Sequence, residues 1–370
     1  MLFERVDKGF DKSTLSRDLE IELNKQMSKT MKRIHKTLKT GTCYFCGKPI
    51  ASFCNSHNVP RYCLENIGTN GEVLGPNAIL ELPRMGLSIG KHTPGINESG
   101  TFSMICRECD STIFQDYENP ENYYQDKVPT SRMLTQIALK NYLKVIYKRK
   151  IEIALMEDTV NRLPPVDLPS ILLLKEYQEK LKVSALDLES YKSSFERAKM
   201  FFESRKDNGY YLFYYKLLDY VAPITIQIPI VISIGFGDEI INDVFSMNPN
   251  YEPKDLHVCV FPQQTTTAIL LFVDYGNTRY SRFRRQFLKL DEESKLGIIN
   301  YIVFLYSEDY FLAKDLSQKM DLTVLKEIAN ITPVIRNIGP INGTSVLTKK
   351  YSLSKWKDIP NLLSEKYKIR

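Results

Sequence analysis

Two cysteine pairs carry the plainest chemistry in this sequence. Cys43-Tyr44-Phe45-Cys46-Gly47 is a C-x-x-C ending in glycine, the form of a zinc knuckle, and Cys106-Arg107-Glu108-Cys109 is a second C-x-x-C. A tight turn aims both sulfurs of a pair at one point, and its N–H groups stabilise thiolate charge. Four thiolates are enough to close a tetrahedral structural zinc site. Seven cysteines in 370 residues, six of them between positions 43 and 109, do not make a disulfide scaffold and fit a reducing compartment. A second ligand set stays open: Cys43, Cys46, Cys54 and His57, which leaves Cys106 and Cys109 without a role. Buried free thiols or a redox C-x-x-C rank below both.

Ser56-His57-Asn58-Val59-Pro60-Arg61 adds a second chemistry, because a neutral imidazole takes a proton from water near pH 7. The order is Cys43/Cys46, then His57-x-x-Pro60, then Cys106/Cys109-Asp110, with Tyr117-Glu118 further on. It resembles the HNH (ββα-metal) endonuclease family in its zinc-stabilised, treble-clef form. It is most similar to the variant that reads Ser-His-x-x-Pro and later Cys-x-x-Cys-Asp, some of whose members are linked to bacterial defence against phage. The resemblance covers about residues 40–120. It implies that His57 is the general base for phosphodiester hydrolysis and that one catalytic Mg2+ or Mn2+ lies against the scissile phosphate. Asp110 then takes a position the family usually fills with His, and the four cysteines hold a structural Zn2+ away from the chemistry. Ser56 replaces the family's metal-ligating Asp, and neither Asn77 nor Asn97 sits where the family places its His-orienting Asn.

Other single residues carry two readings each. His92 is a loop residue or a ligand from the long insertion, and Glu118 a helix-surface or a metal-side carboxylate. The Arg279–Lys289 cluster, with Tyr280 and Phe283 interleaved, is a nucleic-acid-binding loop or a solvated edge. His35 and His257 have no supporting context.

These side chains need elements to hold them. Leu15, Leu19, Leu23, Met27, Met31, Ile34 and Leu38 recur at helical spacing, so residues 1–40 form a basic amphipathic helical segment. No acidic residue lies between Glu22 and Glu65, while eight basic ones do, so this interval alone carries more positive charge than the mild net surplus of +6 on the whole chain. Residues 41–125 are irregular and form the zinc-binding unit, with Asn70-Gly71 signalling a type I′ turn and a helix from Asp110 through Glu118. Residues 126–208 are helical, starting after Pro129 with Thr130 or Ser131 as the cap. In 209–370, Ile224–Ile228, Ile230–Ile234 and Ala268–Val273 read as strands, followed by helices from Asp291. The fold class is therefore α+β.

The apolar stretches Ala222–Gly237 and Gly297–Tyr306 are too short or too interrupted to span a bilayer, and Met1–Arg5 turns polar at once. A soluble, cytoplasmic protein with no membrane partner is expected. Two functions follow as expectations. One is a metal-dependent HNH-like endonuclease acting on DNA rather than RNA, with Lys36, Lys39, Lys48, Arg61 and Arg132 as nucleic-acid contacts. It would meet a protein partner or a second copy through residues 209–370. The alternative is a zinc-stabilised nucleic-acid-binding module without catalysis, controlled by the C-terminal region.

Overall fold

A computed structural model describes residues 17–39, 41–50, 53–76, 93–162, 166–204, 209–244, 246, 248, 250–329 and 351–370. Leu15, Asn77 and His92 lie outside them. The chain mixes helices with two antiparallel sheets. No helix among the described residues is long and apolar enough to cross a membrane.

The N-terminal stripe forms α1 (Arg17–Thr37). Its buried Ile34 belongs to the main core, Arg33 pairs with Asp158, and His35 Nδ1 lies 2.6 Å from the Tyr147 hydroxyl. Those contacts seat α1 on α4 (Ser131–Arg162), which packs along α5 (Leu168–Ser204). Thr130 caps α4 through its Oγ, 3.3 Å from the Met133 N–H.

Between these helices, β1 (Ser56–His57) pairs antiparallel with β2 (Thr101–Phe102), with His57 opposite Thr101. A short helix α2 (Arg61–Ile67) leaves β1, and α3 (Arg107–Ile113) follows β2. The expected helix from Asp110 to Glu118 is shorter than that and begins earlier. It starts at Arg107 because Cys106 caps it, accepting the Cys109 N–H on its sulfur at 3.4 Å. It stops at Ile113, and the next aromatic, Phe114, is fully buried. The Asn70-Gly71 turn is type I′ as expected. Both residues have positive φ, 53° and 74°, and Thr69 and Glu72 exchange backbone hydrogen bonds of 3.0 and 3.1 Å.

The larger sheet has the order β3-β6-β5-β4-β7 with every pair antiparallel. Its strands are β3 (Tyr210–Leu218), β4 (Ile224–Ile230), β5 (Leu256–Pro262), β6 (Thr267–Asp274) and β7 (Tyr310–Leu312). Every residue of β4 and β5 is buried, including the polar Thr225, Gln227 and His257, so the Ile-x-Ile alternation of β4 does not mark a solvent-exposed face. Helix α4 packs against β3 and β4, and α2 against β4 and β5. Leu74 extends the sheet beyond β7 by exchanging backbone hydrogen bonds with Leu312. One continuous core thus runs from Ile34 through the cysteine region to Leu363.

Ile230–Ile234 is not a second strand. The chain leaves the sheet after Ile230, and the amides of Ile232 and Ser233 donate to the hydroxyls of Tyr280 and Tyr306 at 3.1 and 3.2 Å. Side-chain acceptors replace the sheet ladder there, which satisfies the backbone without a strand. The Arg279–Lys289 cluster is not a loop: residues Ser281–Leu288 form α6, with Phe283 and Phe287 buried. Arg279 is tied to Asn242 and Glu252, and Arg284 lies over Tyr211.

Helix α7 (Glu292–Tyr306) is buried from Leu296 to Leu305 and is crossed by the chain around Trp356. A Cβ on Gly297 would meet Trp356 Cζ3 at 2.2 Å. Gly297→Ala is therefore expected to destabilise the protein by ~1–3 kcal/mol through overpacking. Equilibrium unfolding followed by the fluorescence of Trp356, the sole tryptophan, reads this directly.

Candidate functional site

The knuckle is built by a turn that needs glycine. Gly47 has φ 70° and donates its N–H to Cys43 O, and Cys43 N–H bonds Lys48 O, both at 2.9 Å. Tyr44 N–H donates to Met104 O at 2.9 Å, which lays the knuckle against the segment leading into α3. The first turn of α3 then carries Cys106 and Cys109 inward. The sulfurs of Cys43, Cys46, Cys106 and Cys109 all lie within 4.8 Å of one another. Tetrahedral Zn–S bonds of ~2.3 Å place sulfurs about 3.8 Å apart, so these four residues can hold a metal ion such as zinc. Burial pushes the Cys43 thiol up, but the N–H groups of Cys46, Cys106 and Phe45 outweigh it and bring its pKa down to about 7. Burial and the neighbouring thiols push Cys109 up; a bound cation reverses such a shift by its own charge.

The rival set does not assemble. Cys54 donates its S–H to Asp110 Oδ2 at 3.4 Å, and His57 turns elsewhere. Cys63 and Cys259 are fully buried free thiols in the core.

His57 sits half-buried at the end of β1. Its Nε2 lies 3.0 Å from the backbone carbonyl of Ile96. A carbonyl only accepts, so Nε2 carries the proton and Nδ1 keeps the lone pair. The orienting partner that the sequence lacked as an asparagine is thus a main-chain oxygen one residue before Asn97. Burial pushes the His57 pKa down, Ile96 opposes that, and Lys140 and Arg61 push it further down. The ring is therefore neutral at pH 7.

Asp110 follows Cys109 on α3. Its Oδ1 accepts from Ser56 Oγ at 2.7 Å and from Lys140 Nζ at 3.2 Å. Burial raises its pKa, but the Lys140 ammonium and the Ser56 hydroxyl hold it below the ordinary carboxylate value. Lys140 also donates to Glu118 Oε1 at 2.6 Å and lies 4.2 Å from the Phe114 ring centre. Tyr117 donates its hydroxyl to the same Glu118 oxygen at 3.2 Å.

The catalytic divalent ion expected on Asp110 does not fit these residues. Both oxygens of Asp110 already accept protein donors, and an ammonium stands between Asp110 and Glu118. Among the described residues the four cysteines are the only group of three or more ligand side chains gathered to hold an ion. An open depression of about 660 Å3 beside Ile96 is lined by Arg61 but also by Glu65, Glu72 and Glu98, so it is not basic.

The expected nucleic-acid contacts divide. Arg61 pairs with Glu65, Arg132 with Asp116, and Lys48 lies 4.0 Å from Glu108. Lys36 and Lys39 are exposed, as are Lys25, Lys29 and Lys32 on the same segment. At 100° per residue, Lys25, Lys29, Lys32 and Lys36 share an arc of about 60° over a length of about 16 Å, with Ile34 on the opposite side.

Lys140 and the Ile96 carbonyl were not found from sequence. Gln136 and Lys140 lie four apart on one side of α4, and both are buried together with Thr135 and Asn141, but the sequence of the helix does not set them apart from its other polar residues. Gln136 serves the same turn, accepting the Tyr117 N–H at 3.1 Å. No family model matches this chain, and no curated protein or solved structure matches it either.

Proposed function

We propose that this chain binds nucleic acid and hydrolyses a phosphodiester bond at His57, with a Cys43/Cys46/Cys106/Cys109 zinc site ordering the region that carries it. The observation that supports this reading best is the bond from His57 Nε2–H to the Ile96 carbonyl, which leaves Nδ1 as a base. In the proposed step a water proton moves to Nδ1, the water oxygen bonds to phosphorus, and the ester P–O bond breaks. The leaving alkoxide takes a proton from solvent. Arg61, near enough to His57 to influence its titration, supplies a guanidinium for a phosphate oxygen. The resemblance of residues 40–120 to HNH-like endonucleases, with a role in phage defence, belongs to this proposal. Incubation of the purified protein with single- and double-stranded DNA and RNA tests it.

The lysine face of α1 is the proposed docking surface for the polyanion. Its opposite face is already committed to α4, so it offers an electrostatic surface and no free apolar one. Alanine at Lys25, Lys29, Lys32 and Lys36 together is expected to lower the slope of log affinity against log salt by about 3 to 4, at about 0.9 per lost duplex phosphate contact. Fluorescence anisotropy across a salt series measures it, and an unchanged slope removes α1 from the interface.

A second reading, binding without turnover, is favoured by Glu65, Glu72 and Glu98, which place negative charge in the depression that Arg61 and Ile96 line. It predicts the same salt slope with no cleavage product.

A further inference from the structure

Lys140 is 1% exposed, with its ammonium set between two partly exposed carboxylates. Its position is fixed from several sides. The residue lies inside the 32-residue helix α4, its stem is enclosed, and its head contacts Asp110, Glu118 and the face of Phe114. The acceptors are fixed as well. Ser56 and Cys54 hold Asp110 from β1 and the segment before it, and Tyr117 holds Glu118. The arrangement is an ion site in which every ligand is a protein group and the cation is tethered to the chain.

We infer that the Lys140 ammonium permanently fills the cation position between Asp110 and Glu118, so that this protein binds no divalent ion there and works without one. A magnesium or manganese ion would need carboxylate oxygens at about 2.0–2.2 Å. The ammonium nitrogen already stands 2.6 and 3.2 Å from the two oxygens it would use. Like charge and lack of room exclude the ion together. A tethered cation cannot be diluted away, so chelators that leave the cysteine site loaded should not change the centre. Lys140 is a positioning residue in this account: it holds Asp110 and Glu118 and does not touch the substrate.

The test is Mn2+ binding followed by electron paramagnetic resonance on zinc-loaded, full-length protein. Wild type is expected to leave added Mn2+ free up to ~1 mM. Lys140→Met keeps the stem and removes the charge. It is expected to bind one Mn2+ at least tenfold more tightly, and adding Asp110→Asn should abolish that gain. If Lys140→Met fails to fold, as judged by circular dichroism and retained zinc, the wild-type titration and a wild-type against Asp110→Asn comparison decide alone. One Mn2+ bound by wild type and lost in Asp110→Asn overturns the inference. The activity arm rests on the proposed function: cleavage should be the same with and without added Mg2+ or Mn2+. Cleavage that appears only with the ion sinks this inference and leaves the His57 reading standing. Absence of all cleavage sinks that reading, while the Mn2+ titration still decides the inference.

Discussion

Replacing Cys109 by serine should lower bound zinc from one ion per chain to none and unfold the region around residues 41–57 and 101–113. The chemistry is direct. The four sulfurs converge from two separate segments, and apart from the 2-residue strands β1 and β2 little regular structure joins those segments. A structural zinc contributes up to ~10–16 kcal/mol to small zinc-ordered units at neutral pH. Here the surrounding core, including Ile105, Phe114 and Tyr117, retains part of the fold, so the loss is local rather than global. Limited proteolysis should therefore cut first within 41–57 in Cys109→Ser or after zinc removal, and the sheet β3–β7 should persist. Elemental analysis of wild type showing no zinc, or a cysteine variant that keeps it, would contradict the assignment. Cys54→Ser and Cys63→Ser are the controls expected to retain the metal.

His57→Ala should reduce phosphodiester cleavage by ~10²–10⁴-fold, the usual contribution of a positioned general base, while zinc content is unchanged. The pH profile separates a base from a structural role. In the proposed step His57 acts as the neutral ring, and its pKa is lowered from 6.5 chiefly by burial. The rate should be flat above that lowered pKa and fall about tenfold per unit below it. Lys140 is one of the charges that lower this pKa, so its neutralisation should move the acid limb toward higher pH. A profile that ignores both His57 and Lys140 would remove the imidazole from the reaction.

What the sequence made legible was local. The cysteine spacing, the Asn70-Gly71 turn with its two positive φ angles, and the Thr130 cap each follow from residues a few positions apart. What it hid was long-range. Asp110 and Lys140 are 30 residues apart, and nothing in either neighbourhood states that one neutralises the other. A lysine in a basic helix reads as solvated, and only its enclosure by Asp110, Glu118 and Phe114 makes it interior. The Ile96 carbonyl is invisible for a different reason: a main-chain acceptor carries no residue signature, so no side chain in the sequence marks the partner of His57. Ile230–Ile234 misled in the opposite way. Its alternation is strand-like, but two tyrosine hydroxyls capture its amides before a neighbouring strand can.

The seam between Asn58 and β4 shows how closely the candidate site is joined to the larger sheet. Asn58 donates to the Gln227 carbonyl at 2.7 Å, and the Gln227 amide reaches the Tyr117 hydroxyl at 3.5 Å. The residues around His57 are thus positioned by β4 as well as by the cysteine unit. This fits a centre whose geometry depends on the C-terminal half of the chain.

The most direct test of the central claim is a cleavage assay on end-labelled DNA and RNA, single- and double-stranded, using wild type and His57→Ala at equal zinc content. Wild type should cut these strands, and scission should fall at least a hundredfold in His57→Ala, in line with the ~10²–10⁴ contribution of a general base. Wild type that binds these nucleic acids yet leaves all of them intact, with or without added divalent ions, would contradict it.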